Sequence, residues 1–258
     1  MRKLIGLATP VAALAVAGIA YAGQGATNQN GEFIDLNVAV SPPIASSTNS
    51  PRGVGVSFDS FAGNRINANT PGNNTSIVVR FNKGFKFNGT QFPSCKINPT
   101  PGALTTCPPS ARIGTGAAEA EIPGANGAPP TFVPANLVAY NGKPFSGKAP
   151  TLIFIALLHG TPAAELDFTA KQQPSGPYGL AFTQIQFPNS PPAAFGISKF
   201  SVQVPDRSVT RSVRGKKTKV HLFVAPTKCH GSWKFAQTNT FDNAPPLTAT
   251  DSQPCVKR

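Results

Sequence analysis

From Glu32 onward, apolar residues recur at every second position in short runs, and the runs end at proline, glycine, asparagine or serine. In Glu32–Val40, Ile34, Leu36 and Val38 alternate with Asp35 and Asn37, the period of a strand with one face toward a core. The same reading predicts strands over 52–61, 76–81, 84–87, 117–122, 137–140, 151–158, 166–171, 179–187, 195–204, 208–213, 219–224, 233–241 and 247–256. Thr161–Glu165 resembles a capped helix start, but Leu166, Phe168 and Ala170 alternate with Asp167, Thr169 and Lys171, which selects strand. Asn88-Gly89 marks a turn, and Gly215-Lys216-Lys217 closes a hairpin. The pattern predicts an all-β, antiparallel β-sandwich or jelly-roll-like fold, with 32–258 as one domain. A Gly/Pro-rich stretch at 123–130 is the one place where it would divide, into halves 32–122 and 131–258.

Composition sharpens this picture. Twenty-seven prolines and 24 glycines leave no window for a long helix, while 18 phenylalanines supply the apolar surface that a disordered chain lacks. Met1-Arg2-Lys3, the apolar run Leu4–Ile19 and the small residues of Ala20-Tyr21-Ala22 read as a signal peptide over 1–22. The mature chain then begins with a flexible segment, 23–31. Pro10 and Gly18 interrupt the apolar run and argue against a retained anchor, and no later stretch approaches the roughly 20 apolar residues of a membrane span. The expected location is secreted, extracellular or envelope-associated.

Four cysteines in an exported chain favour disulfides. Of the three pairings, Cys95 with Cys107 and Cys229 with Cys255 is preferred because each pair flanks its own segment. Such loops contribute about 3 and 3.5 kcal/mol in the chain-entropy model. No C-x-x-C spacing occurs, and the adjacent Cys229 and His230 cannot readily ligate one tetrahedral ion, so no metal is expected.

Three segments carry a resemblance: Lys83-Gly84-Phe85-Lys86-Phe87-Asn88 leading to Phe92-Pro93-Ser94-Cys95, then Cys107 through Gly116, and Cys229-His230-Gly231-Ser232-Trp233-Lys234-Phe235 with Cys255. On these the chain resembles a group of uncharacterised secreted, β-rich actinobacterial proteins with paired cysteines. The resemblance implies export, disulfides and β-structure, and it implies no activity, cofactor or catalytic residue.

Glu119 and Glu121 stand two apart on a predicted strand, so their side chains share a face with Cα atoms about 7 Å apart. Paired carboxylates are the machinery of glycoside hydrolysis, which makes these two the candidate catalytic residues of an alternative, carbohydrate-active reading. Glu165 and Asp167 repeat the spacing. A solvated strand face is the preferred account of both pairs, since no third acidic residue or aromatic subsite follows nearby. His159, His221 and His230 sit in no nucleophile motif, and Gly114-Thr115-Gly116 lacks the helix and lysine of a phosphate loop, so no nucleotide cofactor is expected. Trp233, Tyr140 and Tyr178 are the amphipathic aromatics available to a sugar-binding module.

The net charge of +13 falls to +11 when Arg2 and Lys3 leave with the leader. Arg207, Arg211, Arg214, Lys216, Lys217 and Lys219 concentrate much of it on the predicted hairpin. Outside the cell such a cluster attracts anionic envelope polymers or glycans in a salt-sensitive way. Export and the absence of aromatic–basic interleaving weigh against nucleic acid. The same cations on an exposed hairpin also serve to protect an edge and keep a protein soluble. The expected function is a secreted or envelope-associated, non-enzymatic β-sandwich of no specified role, with this cluster as its candidate binding site.

Overall fold

The computed structural model describes residues 25–27, 31–64, 74–100, 102–122, 128, 130–147, 149–185, 196–213, 215–241 and 244–257; the segment 1–22, expected to be a signal peptide, and Arg214 lie outside the described residues. The strands are β1 (Ala26–Thr27), β2 (Glu32–Ser41), β3 (Gly55–Asn64), β4 (Asn74–Asn82), β5 (Lys86–Phe87), β6 (Arg112–Ile122), β7 (Thr131–Gly142) and β8 (Thr151–Leu158). They continue with β9 (Thr161–Gln172), β10 (Tyr178–Gln184), β11 (Gly196–Val204), β12 (Ser208–Val213), β13 (Lys216–His221), β14 (Phe223–Val224), β15 (Ser232–Phe241) and β16 (Leu247–Pro254).

The all-β, antiparallel expectation holds, and each predicted run carries a strand. Local details differ, among them the predicted run 219–224, which divides at Leu222 between β13 and β14 in separate sheets. Ala26 and Thr27, within the segment expected to be flexible, pair with Ile34 and Phe33 as β1. Lys216 and Lys217, expected in the turn, begin β13, because Gly215 with φ 77° makes the reversal one step earlier.

One sheet takes twelve strands in the order β1-β2-β3-β11-β6-β7-β8-β9-β10-β4-β15-β16, with antiparallel neighbours throughout. Strands from 32–122 and 131–258 are interleaved in it. Two stacked sheets are not needed to bury one face of every strand; a single sheet that rolls on itself does the same. Without the two-residue β1 the wall has eleven strands. Rolling an antiparallel sheet with an odd number of strands brings its first and last strands together in parallel.

That seam lies between β2 and β16, and side chains stitch it in place of a backbone ladder. Asp251 Oδ2 accepts the Val38 N–H at 2.6 Å. The Gln253 amide accepts the Val40 N–H at 2.6 Å and donates to the Val40 carbonyl at 3.0 Å. Beyond β2, the Ala45 N–H reaches the Val256 carbonyl and the Val256 N–H reaches Pro43, a parallel bridge.

Alternation places Ile34, Leu36, Val38 and Val40 of β2 inside, with Asp35 and Asn37 outside. On the outer face Ser201 of β11 bonds Asp59 of β3, and Gln203 is exposed. Polar outside and apolar inside is the reverse of a barrel whose wall faces lipid. Among the described residues no helix is long and apolar enough to cross a membrane.

The two ends of the roll are built differently. Where β15 begins, the small sheet of β5 and β14 closes the end with Phe87 and Phe223. Phe81 meets Phe85, Phe182 and Phe235 edge to face, and Trp233 meets Phe85 with ring centroids 5.1 Å apart. Asn141 secures this end by donating to the Gly89 and Pro93 carbonyls. Both disulfides pair as expected, Cys95–Cys107 and Cys229–Cys255. The first staples a loop onto the outer face of the wall, where Cys95, Ile97, Ala111, Ile153 and Ile155 form a second small core.

Candidate ligand site inside the barrel

Above the aromatic floor the roll encloses a partly open cavity of about 80 Å³. Its walls are the inward residues of β3, β4, β8, β9, β10, β11 and β15, with Phe58, Phe154, Phe168, Phe182 and Phe200 prominent. Phe154 of β8 packs edge-on against Phe200 of β11 with centroids 5.1 Å apart, although β6 and β7 separate these strands along the sheet. Small residues make that sharp curl possible. A Cβ at Gly116 of β6 would come within 1.9 Å of the Ser201 carbonyl oxygen, so only glycine fits there.

The lining is interrupted by Ser60, Gln237 and Asn239. Gln237 and Asn239 follow Trp233 and Phe235 on the inward face of β15 and are 2% and 1% exposed. Gln237 Nε2 donates to Asn239 Oδ1 at 2.7 Å, and Gln237 Oε1 has no hydrogen-bond partner. Among the described residues Arg52 Nε, Asn141 Oδ1, Asp167 Oδ1 and Gln184 Oε1 are also buried without partners, but of these residues and Gln237 only Gln237 lines the lumen. Among the described residues none that lines the lumen carries a charge.

The residues singled out in the sequence lie elsewhere. Glu119 and Glu121 share the outer face of β6. Glu119 accepts from Ser198 Oγ at 2.9 Å. Glu121 is 5% exposed, and burial, then the charges of Glu119 and Glu32, raise its pKa. Neither lines the lumen or the polar cleft described below. The second acidic pair is structural. Glu165 accepts the Thr105 N–H and, at 2.6 Å, the Thr105 hydroxyl, which ties the Cys95–Cys107 loop to β9. Asp167 is pushed up to about 8 by burial, then by the charge of Glu165 and a hydrogen bond to it, so it carries a proton at neutral pH.

The basic residues form a hairpin, β12–β13, standing apart from the main sheet. Its register places Arg211 and Lys216 on one face, and Lys217 and Lys219 on the other. Val209 and Val220 on the first face pack against the core, and Arg211 donates to the Gln91 carbonyl through Nε and Nη2. Arg207, Arg211, Lys216, Lys217 and Lys219 are exposed, and none pairs with a carboxylate among the described residues. The structure therefore gathers the cations on one projection without giving them one face. Trp233 is fully buried, which removes it from the aromatics available to a sugar-binding module.

Sequence reasoning missed the lumen and one polar pair. His221 Nδ1 lies 2.9 Å from Asp206 Oδ1 at the base of the hairpin, in a cleft also lined by Ser50 and Arg52. Gly53 allows that approach, since a Cβ there would stand 1.8 Å from His221 Nδ1. Among the described residues no hydroxyl bonds the imidazole, so the pair lacks an aligned nucleophile. The alternation of β15 held the signal for the lumen: Gln237 and Asn239 fall in phase with Trp233 and Phe235, a polar pair on an otherwise apolar face.

No family model, no curated protein and no solved structure matches this chain.

Proposed function

We propose that this protein is an exported, non-enzymatic binding protein that takes a small, mainly apolar molecule into its barrel. The observation that carries this reading is the apolar cavity of about 80 Å³ above the packed floor. An apolar cavity of about 150 Å³ stays dry and binds benzene, so a space about half that size suits a slim ligand or requires the phenyl rings to move aside. Eleven strands enclose a wider lumen than the roughly eight that side chains alone can fill.

The test is uptake of the neutral fluorophore N-phenylnaphthylamine by the oxidised mature protein. Blue-shifted, saturable emission is expected, and Leu166→Trp, which fills the cavity, abolishes it while circular dichroism stays native. Equal uptake by the filled variant, or none by the wild type, overturns the reading.

A second reading rests on the exposed, unpaired cations of the β12–β13 hairpin: attachment to anionic envelope polymers outside the cell. Retention on purified envelope material should fall as salt rises, and should fall further when Lys216, Lys217 and Lys219 are changed to glutamine. Retention indifferent to both removes it. The two readings are compatible, because the hairpin follows β11 at the plugged end of the roll. Neither carboxylate of the glycosidase alternative, Glu119 or Glu121, lines the lumen or the polar cleft.

A further inference from the structure

We infer that the lumen selects an uncharged ligand bearing a hydroxyl, which donates its proton to Gln237 Oε1; this rests on the binding reading above. Gln237 is 2% exposed and lines the cavity, and its amide nitrogen is committed to Asn239 Oδ1 at 2.7 Å. With Asn239 presenting its Oδ1, as it does in the structure, turning the Gln237 amide over would set oxygen against oxygen. One of the two amide N–H bonds is used by Asn239, and the atom left with no partner from the protein is the carbonyl oxygen, an acceptor. A ligand that matches it must donate.

Charge narrows the class further. A carboxylate entering a lumen with no charged residue among its described lining would lose its hydration with no counter-ion, and would also set an acceptor against an acceptor. An ammonium group would donate but would meet the same desolvation. Ketones, esters and ethers offer no donor. A neutral alcohol satisfies both conditions. Its hydroxyl sits against β15 at the level of Val79, the ladder partner of Gln237, and its hydrocarbon reaches the rings of Phe154, Phe168 and Phe200 on the other walls. Below this level Phe81 and Phe235 close the floor, so the hydroxyl lies deepest and the hydrocarbon points away from the floor.

The experiment is displacement of N-phenylnaphthylamine from the oxidised mature protein by decanol, decanone and decanoate, in the wild type and in Gln237→Leu. Decanol is expected to bind about tenfold more tightly than decanone, the effect of one buried hydrogen bond, with decanoate weakest. Gln237→Leu should erase the preference for decanol over decanone and still take up the fluorophore. Equal binding of alcohol and ketone to the wild type, or a preference that survives in Gln237→Leu, overturns the hydroxyl inference and leaves the lumen as an apolar site. Failure of the wild type to take up fluorophore or any decyl compound overturns the binding reading itself. Gln237→Glu is the second variant: it keeps an acceptor at this position, so a folded Gln237→Glu protein at low pH should retain the alcohol preference.

Discussion

The two halves of β15 are equally buried and differently packed. Trp233 and Phe235 are 0% exposed, and rings from β4 and the 85–87 segment surround them. Gln237 and Asn239, two and four positions beyond Phe235, are 2% and 1% exposed and look onto empty space. Burial and packing are therefore separate properties in this molecule. The first half gains dispersion contacts and stability; the second keeps a polar group out of water without giving it a full set of partners. A barrel whose floor is tightly filled can hold an incompletely filled lumen above it.

The contrast is broken most severely at the floor. Trp233→Ala is expected to cost about 3–5 kcal/mol, because the rings around it cannot collapse into the void. Denaturant unfolding of the oxidised protein measures this, and a loss below about 1 kcal/mol would mean that the floor is no better packed than the lumen.

The same distinction can be carried through the wall to β9, where Phe168 faces the lumen and Asp167 is buried on the outer side under the disulfide loop. The Asp167 carboxyl, ordinarily near 3.8, stands at about 8 in the folded protein. Between those values the folded state holds a proton that the unfolded state has released. The stability due to this group is thus complete below about pH 4, and is lost as pH rises toward 8. Asp167→Asn should remove this slope and be the more stable protein above pH 8, by an amount on the order of a few kcal/mol. Parallel denaturation curves for the two proteins from pH 4 to 9 would show instead that the carboxyl ionises freely.

At the upper half of β15 the expected change is small. Gln237→Leu should shift stability by no more than about 1 kcal/mol, since it removes a buried carbonyl without a partner and also withdraws the donor from Asn239 Oδ1. A larger loss would show that the bond to Asn239 supports the fold. Least of all should stability respond to Lys216, Lys217 and Lys219: glutamine at all three should shift unfolding by no more than about 0.5 kcal/mol while weakening salt-sensitive retention on envelope material.

Most individual strands were legible in the chain. Thr151–Leu158 and Ser208–Val213 have the predicted bounds, because alternation or a continuous apolar run between turn residues is a local signal. Short-range turn chemistry was harder. Gly215 moves the hairpin reversal and puts Lys216 and Lys217 in the strand, which divides the cation cluster between two faces. The two acidic pairs share the same spacing, yet Glu119 bonds Ser198 on the outer face of β6, while Glu165 and Asp167 are held beneath a disulfide loop. Spacing along one strand carries no information about what covers it. His221 and Asp206 meet only because the hairpin brings its base together.

The sequence by itself determined the class of the protein: period-2 runs, prolines and glycines throughout, and cysteines grouped so that each pair closes its own segment. These are properties of neighbours along the chain, and local sterics read them directly. Only the tertiary structure decided that β3 pairs with β11, that β4 lies between β10 and β15, and that the sheet rolls until Asp251 and Gln253 reach β2. The lumen is a consequence of that closure. Gln237 acquires its meaning there, because a polar residue in phase with apolar ones becomes a site only when distant strands surround it and leave space unfilled.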